Sequence, residues 1–204
     1  NFSSFSEVLE PERMVSLMNE YLTAMSEVIL ENKGTLDKYI GDAIVAFYGA
    51  PVFVDSQEKK ACETALQMQE RLGNLREKWK LEGDWPSIVL SMQHRIGLNS
   101  GQMVTGNMGS NIRMNYTMMG DTVNLAARLE SSAKQYGIYN FVGHPIYENA
   151  KDDYVFRFLD FTKVKGKNIP VKVYELINRK SMIKKETIDL VNEFEIGMDL
   201  YFQQ

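Results

Sequence analysis

The chain has 204 residues, of which 44% are hydrophobic and 25% are charged, and a net charge of -4 at pH 7. These values are ordinary for a globular protein, and the acidic balance argues against nucleic acid as a partner. No apolar stretch reaches membrane-spanning length, no signal-peptide pattern opens the chain, and the single cysteine, Cys62, cannot form an internal disulfide. We therefore expect a cytoplasmic domain, in a parent protein that could itself be membrane-anchored.

The first half of the chain predicts two long amphipathic helices with a hairpin between them. Apolar residues spaced three and four apart predict a helix from Pro11 to Asn32, closed by Gly34, and another from Asp55 to Lys80. Between them, TLDKYIGDAIVAFYG predicts two strands around a tight Gly41-Asp42 turn. The second strand is apolar at every position, so we expect both of its faces to be buried.

The second half of the chain predicts shorter elements. SMQHRIGLNSGQMVTGNMGS indicates a strand, a Ser100-Gly101 turn and a second strand, and a helix capped by Asp121 runs through Tyr136. A short strand, a short helix and two further strands follow, and residues 181–204 predict a last amphipathic helix. Helices and strands alternate without a strict βαβαβ order. We therefore predict an α+β fold, with a mostly antiparallel sheet and helices packed on it.

Asp42 is the first candidate functional residue. It follows Gly41 at the mouth of a sheet that we expect to be buried, where a carboxylate is costly unless a positive charge meets it. An ordinary turn-forming aspartate is one interpretation. The functional alternative is a ligand for a hard cation, since Mg²⁺ favours one or two carboxylates plus substrate phosphates. Lys38, four residues earlier, has a solvated strand position as its alternative.

Asn124 and Arg128 form the second candidate pair. They stand one helical turn apart, so their amide and guanidinium groups project from one helix face. The alternative is a capped amphipathic helix on which both side chains are merely solvated. In that interpretation the buried side carries Val123, Ala126, Ala127 and, as a further candidate, Leu125.

Three long segments carry a family resemblance: DKYIGDAIVAFYGAP, GLNSGQMVTGNMGSNIRMNYTMMGDTVNLAARLE and KVKGKNIPVKVYEL. In this order and spacing they resemble the class III nucleotidyl cyclase catalytic domain, and more narrowly the bacterial adenylyl cyclases. The resemblance runs from Asn1 to about Ile177. It implies a cyclase domain over residues 1–178, with a ferredoxin-like βαββαβ core and additional strands, and a C-terminal helical extension over residues 179–204.

The resemblance also implies roles for individual residues. Asn124 and Arg128 match the pair that orients the ribose and stabilises charge on the α-phosphate. Lys38 and Thr117 match the pair that recognises adenine, in the Lys/Thr form of bacterial members. Asp42 matches the second metal-binding aspartate of the family.

The remaining implied contacts concern the phosphates and the other metal ligand. Phe2 and Ser3 match the loop that binds phosphate, and Lys165, in the basic TKVKGKNIP loop, matches the lysine that holds the terminal phosphates. From the residues alone, a solvated hairpin is the alternative for that loop. The family's first metal aspartate is expected upstream of residue 1, on a strand that this chain lacks. With one carboxylate absent, we expect the chain by itself to bind the metal ions poorly.

The implied reaction converts ATP to 3′,5′-cyclic AMP and pyrophosphate by in-line attack of the ribose 3′-oxygen on the α-phosphorus. In the family, two Mg²⁺ or Mn²⁺ ions per active site lower the pKa of the nucleophile and clamp both ends of the displacement. The resemblance further implies a head-to-tail homodimer with two active sites, each shared between subunits. It also implies a role in signal transduction, under an upstream regulatory domain.

Base choice is a question of hydrogen bonding. Lys38 is donor-only and can serve an adenine ring nitrogen, while Thr117 can accept from the exocyclic amine. A guanine site would be expected to carry an acidic residue at the position of Lys38. The pair therefore favours ATP over GTP.

Three alternatives to an adenylyl cyclase remain. A catalytically inactive homologue that serves as a dimerisation or regulatory domain would usually have lost the metal aspartate or the Asn/Arg pair, and both are present here. A guanylyl cyclase is disfavoured by Lys38 and Thr117. A diguanylate cyclase would need a Gly-Gly-Asp/Glu-Glu-Phe turn that the sequence does not contain.

Overall fold

A computed structural model describes residues 5, 7–162 and 170–202 of the chain. Both helices and strands occur along these residues, as the predicted α+β class requires. The chain forms two compact units. The first takes the chain up to His94 together with Thr105–Met118, and the second takes Arg95–Val104 with the chain from Met119 onward.

Two long helices build the core of the first unit. Helix α1 spans Pro11–Glu31 and helix α2 spans Gln57–Glu82, close to their predicted bounds. Their fully buried side chains include Leu17 on α1 and Trp79 on α2. Burying one large apolar side chain contributes about 1.5–3 kcal/mol. The indole N–H of Trp79 donates to the Glu20 carboxylate at 2.9 Å, so its polar atom is also satisfied.

The end of α1 differs in detail from the prediction. The helix ends at Glu31, and the left-handed backbone conformation falls on Lys33, with φ 64°, rather than on Gly34. Gly34 donates its N–H to the carbonyl of Ile29 at 2.8 Å. A Cβ on Gly34 would lie 2.7 Å from Cγ2 of Ile29. Glycine is therefore required here by the close approach of the backbone to α1.

The predicted hairpin follows. Strand β1 spans Thr35–Ile40, strand β2 spans Ala43–Phe47, and the two pair antiparallel around Gly41, whose φ is 63°. The expectation that β2 is buried on both faces is wrong. Among its residues Phe47 alone is buried, because β1 and β2 form a two-stranded sheet of their own. The apolar sequence of β2 does not show how few of its residues other elements will bury.

A second two-stranded sheet contains β4 (Val104–Gly109) and β5 (Met114–Met119). Ser110 and Arg113 close the turn between them with reciprocal backbone hydrogen bonds of 2.9 and 3.2 Å. This sheet supplies Tyr116 and Thr117 to the first unit. The Tyr116 ring lies 6.1 Å from the ring of Phe47.

The second unit is built on a four-stranded sheet in the order β3-β6-β8-β7. Strand β3 (Ile96–Leu98) runs parallel to β6 (Asn140–Gly143), and β8 (Val171–Arg179) is antiparallel to both β6 and β7 (Tyr154–Thr162). The two strands predicted on either side of the Ser100-Gly101 turn therefore lie in different sheets, β3 beside β6 and β4 beside β5. Turn residues indicate a bend but do not determine which strand the chain then pairs with.

Helix α4 (Asp121–Tyr136) packs on this sheet. Its buried stripe recurs every four residues and continues into a core cluster made of Leu125, Leu129, Ala133, Ile138, Phe141, Leu159 and Val173. A Cβ on Gly97 of β3 would overlap the carbonyl oxygen of Ala126 and the amide of Glu130. Glycine at this position therefore lets the helix backbone lie directly on the strand.

Two details of α4 correct the prediction. Asp121 is the first helical residue rather than the cap, because Gly120 occupies the N-cap position and no side chain caps the helix. The buried side is also different, since Ala127 is exposed and Val123 and Ala126 are only half-buried. The sheet selects the stripe with the larger side chains, beginning at Leu125, because burying them removes more apolar surface from water.

The remaining helices are short or peripheral. They are α3 (Ser87–Leu90), α5 (His144–Ala150), a 3-10 turn at Lys180–Met182 and α6 (Lys185–Phe202). Helix α6 contacts β7 through the Phe202 ring, which lies against Phe158 and Phe161. None of the helices among the described residues has the length and apolar character needed to cross a bilayer.

Candidate functional site

The first unit brings together Lys38 and Thr117, the pair for which the family resemblance implies base recognition. Lys38 Nζ donates to Thr117 Oγ at 3.0 Å. A third residue, Asp37, joins them: the Thr117 hydroxyl donates to Asp37 Oδ2 at 2.6 Å, and Lys38 Nζ lies 3.5 Å from Asp37 Oδ1. The three side chains form a polar cluster, which we call the Asp37–Lys38–Thr117 cluster.

A β-bulge explains how two consecutive strand residues reach the same partner. Successive side chains of a regular strand point to opposite faces, which would separate Asp37 from Lys38. The β1–β2 register shifts here: Leu36 faces Ala46 and Lys38 faces Val45, so Asp37 is an extra residue on β1. A bulge re-aims side chains locally. It therefore allows both Asp37 and Lys38 to approach Thr117.

The cluster has a buried side and an open side. The Asp37 side chain is 1% exposed, whereas that of Lys38 is 42% exposed, and Thr117 is buried. The Lys38 side chain is therefore partly open to a ligand, while its ammonium group contacts the Thr117 hydroxyl and the Asp37 carboxylate. A donor of this kind suits a ring nitrogen of a base.

Asp42 lies on the turn of the same hairpin and is exposed. The argument from the cost of a buried carboxylate is therefore wrong for this residue. Its negative charge is still felt nearby: burial raises the pKa of Tyr21, and the charge of Asp42 raises it further.

The donor set around Asp42 fits a metal ion only in part. Within residues 5, 7–162 and 170–202, no three His, Cys, Asp or Glu side chains come together as a metal-binding group. A single exposed carboxylate is nevertheless compatible with Mg²⁺, which commonly takes one or two carboxylates and completes its coordination with waters and substrate phosphates. Asp42 can therefore supply one ligand, and the phosphates of a nucleotide would supply others.

The second unit presents Asn124 and Arg128 on the first two turns of α4. Both residues are exposed, one helical turn apart, while Leu125 and Leu129 point into the core. Neither side chain forms a hydrogen bond or an ion pair with another of the described residues. The amide and the guanidinium therefore project from one exposed helix face, as their spacing predicted, and the solvated alternative stays open.

The start of α4 is anchored by the loop after β3. The Asn99 side-chain amide donates to the Thr122 carbonyl at 3.1 Å, and the Thr122 hydroxyl donates to the Gln102 carbonyl at 3.0 Å. The other amide atom, Asn99 Oδ1, is buried without a hydrogen-bond partner among the described residues. These bonds hold the helical turn that carries Asn124.

Some predicted contacts cannot be placed, and one residue was missed. Phe2, Ser3 and Lys165 lie outside the described residues, so their phosphate-binding roles remain predictions. Asp37 was not identified from the sequence, and consecutive residues of a regular strand point to opposite faces, so the pattern gives no reason to join it to Lys38. The sequence signal that could have identified Asp37 is its position directly before the candidate Lys38.

Comparison with known proteins identifies the class. Residues 1–178 match the family model described as the adenylate and guanylate cyclase catalytic domain. Adenylate cyclase 1 of Rhizobium meliloti is 33% identical over 177 residues, which cover 87% of this chain and 26% of that protein. The adenylate cyclase of Anabaena cylindrica is 32% identical over 178 residues, covering 86% of this chain and 34% of that protein. The chain therefore spans about a quarter to a third of these relatives.

Solved structures agree with this match. The adenylyl cyclase CyaB from P. aeruginosa superimposes with a TM-score of 0.78 at 31% identity, covering 90% of this chain and 91% of that one. The guanylyl cyclase Cya2 gives a TM-score of 0.73 at 30% identity, covering 90% and 89%. The predicted fold class is thereby confirmed as the α+β class III cyclase domain. This chain belongs to the class III adenylate and guanylate cyclase family.

Proposed function

We propose that the chain is the catalytic domain of an adenylyl cyclase, which converts ATP to 3′,5′-cyclic AMP and pyrophosphate. The observation that carries the choice of ATP is the hydrogen bond between Lys38 and Thr117, which places a donor beside an acceptor. Adenine offers the matching groups, a ring nitrogen that accepts and an exocyclic amine that donates. Family membership alone leaves the base open, since both adenylyl and guanylyl cyclases are similar to this chain.

Asn124 and Arg128 are proposed to act on the ribose and the α-phosphate. As the 3′-oxygen attacks in line, negative charge grows on the phosphorus oxygens and on the departing pyrophosphate. A guanidinium can meet that charge with two parallel donors, and its advantage comes from being in place before the charge develops. Asn124 is proposed to orient the ribose, which positions the 3′-oxygen for attack. Phe2, Ser3 and Lys165 are proposed to hold the phosphates.

The family uses divalent metal ions, and we propose two Mg²⁺ or Mn²⁺ ions per active site. When bound, such ions lower the pKa of the attacking hydroxyl and neutralise charge on the phosphates. Asp42 is proposed to hold them together with a further carboxylate outside the described residues. The exposed position of Asp42 on the hairpin turn is consistent with this role.

We further propose a head-to-tail homodimer in which each active site takes residues from both subunits. Lys38 and Asp42 lie close in sequence but would then serve opposite sites. In this scheme residues 1–178 form the catalytic domain, residues 179–204 form a helical extension, and an upstream regulatory domain controls a cytoplasmic signalling enzyme.

Nucleotide turnover tests the proposal. The full-length parent protein would be incubated with ATP or GTP in the presence of Mg²⁺ or Mn²⁺. The products would then be separated chromatographically. We expect cyclic AMP from ATP, and loss of that product in Asp42→Ala. Asp84→Ala, which removes another exposed aspartate, is the matched control and should retain activity. Cyclic GMP as the main product would contradict the assignment of ATP, and no cyclic product from a folded protein would favour a regulatory homologue.

A further inference from the structure

The Asp37–Lys38–Thr117 cluster contains one residue to which the proposed chemistry gives no task. Asp37 has a fully enclosed carboxylate on a β-bulge, and its Oδ2 accepts the Thr117 hydroxyl at 2.6 Å. Its Oδ1 is buried without a hydrogen-bond partner among the described residues, although Lys38 Nζ lies 3.5 Å away in ion-pair range. A carboxylate in such a position is costly, and burial gives no reason to keep it instead of an apolar residue.

The direction of the hydrogen bonds shows what Asp37 does to Thr117. A threonine hydroxyl has one proton to donate and two lone pairs that accept. An ionised carboxylate beside an ammonium group can only accept, so the Thr117 proton points to Asp37. The Lys38 ammonium can only donate, so it occupies one lone pair of Thr117. One lone pair remains, and no proton is left for a ligand.

We propose that Asp37 is a specificity-positioning residue that turns the Thr117 hydroxyl into an obligate acceptor and so selects a base with an exocyclic amine. A free hydroxyl could rotate to donate to a 6-keto oxygen or to accept from a 6-amino group. With its proton held by Asp37, Thr117 matches the amine of adenine and mismatches the carbonyl of guanine or hypoxanthine. This inference rests on the proposed ATP cyclase function.

The β-bulge supports this role. Without the extra residue in β1, Asp37 and Lys38 would lie on opposite faces of the strand and could not both reach Thr117. The bulge brings the Asp37 carboxylate into contact with Lys38 and Thr117, the two residues proposed to recognise the base. The same contact holds Lys38 near Thr117, so donor and acceptor keep a fixed spacing.

The test compares ATP with purine riboside triphosphate, which carries hydrogen in place of the 6-amino group. The quantity measured is the ratio of kcat/KM for ATP to that for the analogue. We expect Asp37→Ala, which leaves no acceptor for the Thr117 proton, to lower this ratio about fivefold, the size of one hydrogen bond that is no longer aligned. Inosine triphosphate, which has a 6-keto group, should gain relative to ATP in the same variant. If Asp37 had a purely structural role, its substitution would lower kcat/KM equally for ATP and for the analogue, and the ratio would stay unchanged. That result would overturn the proposal.

A double-mutant cycle with Thr117→Val sharpens the test. Once the hydroxyl is absent, Asp37→Ala should leave the ATP-to-analogue ratio unaltered, and a further fall would contradict action through Thr117. Asp160→Ala is the matched control, because Asp160 also accepts a hydroxyl, that of Tyr136 at 2.7 Å, and lies outside the cluster. If Asp37→Ala does not fold, as judged by circular dichroism, Asp37→Leu, which also lacks an acceptor, is read in the same way.

The outcomes separate this inference from the proposed function. Failure of the unsubstituted protein to cyclise ATP would overturn the proposed function, and with it the role of Asp37. Cyclic AMP production with an unchanged ratio in active Asp37 variants would overturn the role of Asp37 alone.

Discussion

The phenol oxygen of Tyr21 lies 3.1 Å from Nδ1 of His94, and this hydrogen bond joins the middle of α1 to the segment that precedes β3. The other ring nitrogen, Nε2, is buried and has no hydrogen-bond partner among the described residues. A protonated ring here would carry a charge that the site cannot solvate. Burial, with a smaller contribution from the positive charge of Arg76, lowers the pKa of His94 to about 4.

This shift predicts a pH-dependent stability. The ordinary pKa of histidine, 6.5, holds in the unfolded chain, so between pH 6.5 and about 4 the unfolded chain takes up a proton that the folded chain does not. The contribution of neutral His94 to the free energy of unfolding is therefore complete above pH 6.5 and is lost as the pH falls. The loss is at most about 1.4 kcal/mol per pH unit. Urea unfolding at a series of pH values measures it.

Two histidine substitutions test this prediction, one at His94 and a control at His144. His94→Gln cannot titrate and keeps a hydrogen-bonding group for Tyr21, so its stability should vary less between pH 4 and 6.5. His144→Gln replaces the other of the two histidines in the chain and should keep the dependence of the unsubstituted protein. An equally steep dependence in His94→Gln would show that other groups cause it.

Arg128→Ala tests the charge-stabilising role proposed for the exposed guanidinium. We expect kcat to fall by about 100-fold or more, because a donor that meets charge in the transition state is lost. ATP affinity and the unfolding temperature should change little, since Arg128 is exposed and forms no bond to another described residue. Lys134→Ala, which removes another exposed cation of α4, is the control for a general loss of positive charge. An unchanged turnover rate would remove Arg128 from the mechanism.

Subunit mixing tests the shared active site. Asp42→Ala and Asn124→Ala chains should each be inactive alone, because every site of either homodimer lacks one group. In a head-to-tail heterodimer one site collects both substitutions and the other collects neither, so activity should return on mixing. Cyclic AMP production after co-refolding measures this. A mixture as inactive as its parents, despite proven heterodimers, would contradict sharing.

Gly97→Ala tests the contact between α4 and β3. The new Cβ would overlap the backbone of Ala126 and Glu130, so the helix must shift from the sheet. We expect the free energy of unfolding to fall by about 1–3 kcal/mol. Gly106→Ala is the control, because a Cβ there meets nothing within 4 Å. Equal stability of the two variants in urea unfolding would contradict direct helix-on-strand packing.

Local pattern was sufficient for much of the fold. The apolar spacing in α1 and α2 predicted both helices to within about two residues, and Gly41-Asp42 predicted the hairpin turn. The i, i+4 spacing also placed Asn124 and Arg128 on one exposed helix face. These features depend on neighbours in the chain, whose geometry is the same wherever the segment packs.

Burial and pairing depended on contacts that the local pattern does not contain. The apolar β2 was expected to be covered on both faces, but its exposure depends on which other elements pack against it. Strand β3, before Ser100, pairs with β6, some 40 residues later, and no local sequence pattern identifies that partner. The same applies to α4, where the sheet determined which apolar stripe became buried.

The sequence by itself determined the family, the positions of the main helices, and the residue types required by the proposed chemistry. Only the tertiary structure revealed that Asp37 belongs with Lys38 and Thr117, because a one-residue bulge reverses the alternation from which side-chain direction is inferred. Thr117 stands 80 residues from Asp37 in the chain. A hydrogen bond over that separation exists only once the strands that carry both residues have folded together.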